Sequence, residues 1–238
     1  MPKLSRNQIV QAAAMLDNRS NYAYAINQIL TLFYEKHLAR IKDWSSGQEH
    51  RTKFLSDYQR LLLRGLLAEL AIVFDKHSVR NHKYSIEPIL EHIESYLRTG
   101  SPEGRIFILS EELFKVNFQG FLTIKKDVLD ETRISDDAYI LSVMKYELGQ
   151  FKKQHKEGFD ALLSIRDKYI AHPDIDHQKE KMYAYFLSKV SEWAFCYTNL
   201  LLQMMVASGA PNYVNDSRSQ ILAFTEEPYN KLISELIT

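Results

Sequence analysis

The chain has 238 residues, enough for one large helical domain or two small ones with an ample core. Its 30 Lys and Arg residues equal its 30 Asp and Glu residues, so the formal net charge is zero. That excludes a broad basic footprint on nucleic acid and leaves only a local patch for such contact. Glycine (8) and proline (6) are too scarce for a many-turned β fold.

A lone cysteine, Cys196, excludes an intrachain disulfide and suits a reducing compartment. Its place on an apolar helical pattern reads as a small buried side chain. No signal-like apolar core opens the sequence, and no run of about 18 apolar residues occurs. A soluble, cytoplasmic protein with no membrane contact is expected.

In chain order, Ser5 precedes a helix with Ile9, Val10, Ala13 and Leu16 on one face. The polar run 17–21 is expected to break it. A longer helix follows, with Ala25, Ile26, Ile29, Leu30, Phe33 and His37 on one side, and residues 43–47 form the next turn. From about Glu49 to Phe74 the periodicity is strong, and Leu55, Tyr58, Leu62, Leu66, Leu70 and Val73 mark the buried face.

Ser85 reads as a helix N-cap, with Pro88 tolerated in the first turn and Ile89, Leu90, Ile93 and Leu97 as the core stripe. Residues 99–103 read as a stop and restart. Ile106, Phe107, Leu109, Leu113, Phe114 and Val116 suggest a further helix, and residues 118–124 an extended segment around Gly120. Ser135 is read as the cap of a helix that runs to His172, with interruptions at Gly149 and Gly158. A last long helix spans about Asp176 to Ala207, with Tyr183, Phe186, Val190, Trp193, Tyr197, Leu200 and Met204 on its core face. The tail returns as a short helix near Pro228 to Ile237. The fold expected is an all-α bundle with mostly antiparallel neighbours, a single domain over 1–238.

The candidate chemistry lies at the end of the penultimate long helix. Leu162, Leu163, Tyr169 and Ile170 form an apolar stripe, and Arg166 falls in it, four residues from both Leu162 and Ile170. A guanidinium on an inward register is costly unless it is paired or faces a polar cleft. Glu69 and Asp75 are the structural partners considered for it. His172 precedes Pro173, which pushes it out of the helical region and frees the imidazole to turn. Its structural alternative is a helix-terminal residue bonding a free carbonyl. His172, Asp174, Asp176 and His177 form a set of possible metal ligands, but no paired C-x-x-C or H-E-x-x-H frame accompanies them. No metal and no cofactor are therefore expected. Phosphate-binding glycine motifs are absent too.

Arg166-x5-His172, with a polar residue after the arginine, resembles the R-x(4–6)-H signature of the HEPN superfamily. The segment R-D-K-Y-I-A-H is similar to the R-[ND]-K-x-x-A-H pattern of its AbiU-like branch, an abortive-infection group of bacterial phage defence. Upstream, Val73-Phe74-Asp75 and the serine-led Ser85-Ile86-x-x-Ile89-Leu90 match further elements of that branch in order. The resemblance covers about 50–205, leaving an N-terminal helical extension over about 1–48 and a tail over about 209–238. Asp167 stands where Asn is commoner. Asp174 stands where some toxins of the superfamily carry a modified tyrosine, so control by such modification is not expected.

The resemblance implies a metal-independent endoribonuclease, in which an RNA 2′-hydroxyl attacks the adjacent phosphorus to leave a 2′,3′-cyclic phosphate and a 5′-hydroxyl. Arg166, always ionised and able to hold two oxygens, suits the phosphate. His172 suits the proton transfer. Asp167, Lys168, Tyr169 and Asp174 are supporting or RNA-binding candidates, and Lys152, Lys153 and Lys156 are either phosphate contacts or a solvated face. At about 1.5 Å and about 100° per residue, six positions put Arg166 and His172 about 9 Å and roughly 120° apart. Either His172 leaves the helix or two chains share the site. The resemblance favours the second, a homodimer with both Arg166 and both His172 residues in one cleft. An antitoxin or another regulatory protein is the further partner expected of a toxic nuclease. The alternatives are a non-catalytic HEPN module that binds RNA or protein, and a helical protein with no RNA contact.

Overall fold

The structure is a computed structural model that describes residues 4–36, 49–75, 84–100, 104–108, 130–171 and 184–206, together with Gln220, Ile221, Ala223, Thr225, Glu227 and Lys231. For residues 34–36, 49, 51, 52, 131, 165–171 and 184 it describes the backbone alone. Among the described residues there are six α-helices and no strand. They are α1 (Arg6–Lys36), α2 (Glu49–Val73), α3 (Ile86–Arg98), α4 (Asp137–Gln154), α5 (Lys156–Ala171) and α6 (Ala184–Val206), with a short 3-10 helix at Glu131–Arg133. The chain is all-α, as its periodicity predicts. None of these helices is long and apolar enough to cross a membrane.

One hydrophobic core draws on all six helices. Helix α6 lies at its centre. Helix α1 runs antiparallel to α6: the Arg6 guanidinium donates to the Met205 carbonyl at 2.9 Å, while Tyr24 stacks on Phe195 at 4.6 Å between centroids. Helix α2 is antiparallel to α1, with Arg19 paired to Glu69 at 2.8 Å and Ile26 packed at Gly65. Helices α3 and α4 are antiparallel as well, bound by Lys145–Glu94 at 2.9 Å and Lys152–Glu87 at 2.8 Å.

Several local expectations hold. Ser5 and Gln8 form a reciprocal capping box, the Gln8 amide donating to the Ser5 hydroxyl at 3.3 Å and the Ser5 amide to the Gln8 side chain at 2.9 Å. Leu55, Leu66, Leu70 and Val73 are buried on α2, and Ile89, Leu90 and Ile93 on α3. Gly100 closes α3 in the left-handed region at φ 57°. Cys196 is buried.

Others are corrected. Residues 17–21 do not break the first helix, because Asp17, Arg19 and Asn21 find partners across the bundle, while the buried Ser20 hydroxyl has none among the described residues. Asp17 and Ser20 are buried, and Arg19 reaches α2. Ile106 and Phe107 are fully buried but not helical. The amide of Ile106 donates to Asp137 at 2.8 Å and that of Ile108 to the Met204 carbonyl at 2.6 Å, which holds 104–108 as an irregular strap. Residues 109–129, where the rest of that expected helix and the extended segment fall, lie outside the described residues, as do the turn at 43–47 and Tyr183. Ser85 occupies the N-cap position of α3, yet its buried hydroxyl bonds no free amide. Asp136, not Ser135, caps α4, its carboxylate accepting from the amides of Ala138 and Tyr139. The helical positions described in the tail begin at Gln220, ahead of Pro228.

The helix expected to bend at Gly149 and Gly158 breaks instead at His155, between α4 and α5. An aromatic cluster holds this corner. Phe151 stacks on Trp193 at 4.2 Å, Phe159 meets Phe74 edge-on at 4.8 Å and Phe186 at 5.6 Å, and His155 lies against Phe151 at 4.8 Å. Gly158 is there for contact, not flexibility: a Cβ at that position would come within 2.3 Å of the Phe186 ring. A Cβ at Gly149 meets nothing within 4 Å. Gly158→Ala should therefore destabilise the protein by about 1 to 3 kcal/mol in urea unfolding. Gly149→Ala should leave stability unchanged or raise it by up to about 1 kcal/mol.

Candidate functional site

Helix α5 carries the segment singled out by the sequence. It leaves the aromatic corner with Phe159 and Leu162 buried, packs against α2, and is helical through Ala171. Arg166, Asp167, Lys168 and Tyr169 therefore stand on regular helix. Arg166 is four residues after Leu162 and seven after Phe159, in register with the core-facing side of α5. Their side chains are not among those described. His172 and Asp174 lie outside the described residues, as do Asp176 and His177 of the metal alternative. Among the described residues, no group of three or more His, Cys, Asp or Glu residues could hold a metal ion.

The surroundings of α5 sort the secondary candidates. Glu69, one of the acids considered for Arg166, is engaged by Arg19 at 2.8 Å. Lys152 pairs with Glu87 and lies 5.9 Å from the centroid of the Phe74 ring. Lys156 pairs with Asp160 one turn on at 2.5 Å. Lys153 is exposed. Of the three, Lys152 is thus held in an interhelical ion pair, while Lys153 and Lys156 are exposed. His155 sits at the corner, where burial first and the nearby Lys189 second hold its imidazole below the usual histidine range. Val73-Phe74-Asp75 brings its phenylalanine into the same cluster as Phe159, so the two motif-bearing helices meet there.

Sequence reasoning missed a polar seam between α1 and α6. Asp17 is 2% exposed and accepts from the Thr198 hydroxyl at 3.2 Å and from the Asn21 side-chain amide at 3.1 Å. Asn199 donates to Asn21 at 2.8 Å and to the Phe195 carbonyl at 2.9 Å. The signal was present: Asp17, Ser20 and Asn21 recur at the three- and four-residue spacing of a buried helix face. A second polar pair lies between α4 and α6, where the Trp193 indole donates to the buried Glu147 at 3.3 Å and the Tyr197 hydroxyl to the Met144 carbonyl at 2.9 Å. Burial, then the charges of Glu147 and Glu87, push the Tyr197 phenol well above its usual range. Between α3 and α4 a groove of about 340 Å³ is lined by Glu94, Leu97, Arg98, Leu141, Ser142 and Lys145, none of them a candidate residue.

No protein-family model, no curated protein and no solved structure matches this chain.

Burial pushes the Asp17 carboxyl up from 3.8 to about 6, and the bonds from Thr198 and Asn21 only partly oppose it. An acid raised in this way is unpenalised below about pH 4 and costs stability as pH rises through 6. The displacement corresponds to about 3 kcal/mol at neutral pH. The difference in unfolding free energy between Asp17→Asn and the wild type should thus move by about that amount in the variant's favour between pH 4 and pH 7. Denaturant titrations at a series of pH values measure it. A difference that stays flat with pH would contradict the buried-carboxylate account.

Proposed function

We propose that this protein is a metal-independent RNA endonuclease of HEPN type, acting in phage defence or as a toxin, with Arg166 and His172 of two chains sharing one cleft. The observation that carries the reading is the R-D-K-Y-I-A-H segment of the sequence, of which Arg166 to Ala171 stand on the last turns of α5. The contact of Phe74, from the upstream Phe-Asp element, with Phe159 of that same helix supports it.

In this reading Arg166 holds the scissile phosphate through two parallel charge-assisted hydrogen bonds and stabilises the charge that builds on its oxygens. His172 takes the proton of the attacking 2′-hydroxyl or delivers one to the departing 5′-oxygen. Imidazole is the side chain best suited to either role near neutral pH. Asp167, Lys168, Tyr169 and Asp174 orient these groups or contact RNA. In this reading the pairing of two chains brings Arg166 and His172 into one cleft. RNA, a second copy of the chain and a restraining protein partner such as an antitoxin follow from this reading, as does a cytoplasmic location. The second reading, a non-catalytic HEPN module, rests on Asp167 standing where Asn is commoner.

Purified protein incubated with labelled RNA in EDTA should cleave it and leave 2′,3′-cyclic phosphate ends. His172→Ala and Arg166→Ala should each lower the rate by about 100-fold or more. Binding without cleavage would establish the module instead. Cleavage that survives either substitution would sink the catalytic assignment.

A further inference from the structure

Helix α2 is two different objects along its length. From Leu66 on it feeds the core. Before that, every residue from 50 to 65 whose side chain is described is exposed or half-buried, apart from Leu55. This outer half nevertheless carries large apolar groups. Phe54 is 53% exposed and Leu61 65%, and Tyr58 is half-buried between them. At positions i, i+4 and i+7 they form one stripe about 60° wide. The Phe54 and Tyr58 rings lie parallel within 5°, their centroids 6.4 Å apart.

Beside that stripe, about 100° round the helix, runs a basic one. Lys53, Arg60 and Arg64 are all exposed and fall within about 40° of one another over roughly 16 Å. Of the two acids in this half, Glu49 opens the helix, and Asp57 meets Arg60 only at 3.9 Å with both side chains more than half exposed, a contact worth little. In a chain of zero formal net charge this is a local concentration of positive charge next to exposed aromatic faces.

We infer that the outer face of the first half of α2 binds single-stranded nucleic acid, with Phe54 and Tyr58 stacking on bases and Lys53, Arg60 and Arg64 contacting phosphates. Unpaired bases offer π faces to exposed rings, and the neighbouring cations neutralise the backbone that links them. A second copy of the chain fits this face poorly: antiparallel self-pairing sets its basic stripe against the same basic stripe. The inference shares its ligand class with the proposed nuclease, but it needs neither Arg166 nor His172.

The test uses the full-length His172→Ala protein, so that the probe stays intact, with fluorescently labelled single-stranded RNA and DNA of one sequence and anisotropy as readout. Phe54→Ala/Tyr58→Ala and Arg60→Glu/Arg64→Glu should each raise the Kd about tenfold or more for both probes. The charge variant should also flatten the dependence of binding on salt. Circular dichroism and the thermal midpoint should not move, since these side chains are largely outside the core. Unchanged Kd values in both variants, or no binding by the parent, would overturn the inference. So would binding that ignores the aromatic variant and is matched by polyglutamate, which marks a non-specific polyanion surface. Leu61→Glu splitting an oligomer while RNA binding persists would assign the face to a second copy instead. Wild-type protein that binds RNA through this face yet leaves it uncut ends the nuclease reading alone. His172-dependent cutting with unaltered binding in both variants ends this one alone.

Discussion

Helix α6 is buried on nearly every side, and that burial obliges its polar groups to find partners inside the protein. Neighbours supply such partners at set heights, although the Asn199 side-chain oxygen is left without one among the described residues. Helix α1 offers Asp17 to Thr198 and Asn21 to Asn199, and α4 offers Glu147 to Trp193 and the Met144 carbonyl to Tyr197. The 104–108 strap and Arg6 take up the carbonyls of Met204 and Met205. A purely apolar contact between two helices tolerates a slip of one turn. These bonds do not, because a slip would leave a carboxylate or an amide buried and alone. The register of the bundle is therefore a matter of polar groups in its interior, while apolar burial supplies the main drive to form it.

That division explains what could be read from the sequence. The α2 and α3 core faces stand out because local periodicity and burial agree: Leu66, Leu70 and Val73, or Ile89, Leu90 and Ile93, are buried as their spacing indicates. The long first helix does not stand out, because Asp17 and Asn21 look like a break until α6 supplies partners some 180 residues away in the chain. The same applies to Ile106 and Phe107. Their apolar spacing suits a helix, but Asp137 and Met204 claim the amides that a helix would use. Glycine misled in the opposite sense: Gly158 sits inside a helix to admit a phenylalanine ring, and the real break falls one residue after Gln154, at His155.

The candidate site was legible in a narrower way. Local pattern locates Arg166 on a helix and on its inward register, since both follow from spacing to Leu162. It cannot supply the identity of partners drawn from other elements. Glu69 is an example: an acid at a plausible position on α2, already committed to Arg19. The outer face of α2 was legible only in part. Its apolar residues read as core, because Tyr58 and Leu62 share the α-helical period of Leu66. That Phe54 and Leu61 stay exposed on this half of the helix is a tertiary fact. The balanced overall charge likewise hides a basic strip that exists only once the helix lines up Lys53, Arg60 and Arg64.

The corner at His155 gives α5 the mechanics of a lever. Ala171 lies sixteen residues beyond the corner, about 24 Å along the axis, so a rotation of about 10° there would swing the far end by about 4 Å. The fulcrum is consequently where aiming accuracy is set, and it is stiff: the His155 ring is wedged beside Phe151, with Phe186 seated directly on Gly158. Any chemistry performed at the tip of α5 inherits its tolerance from rings packed more than four helical turns away.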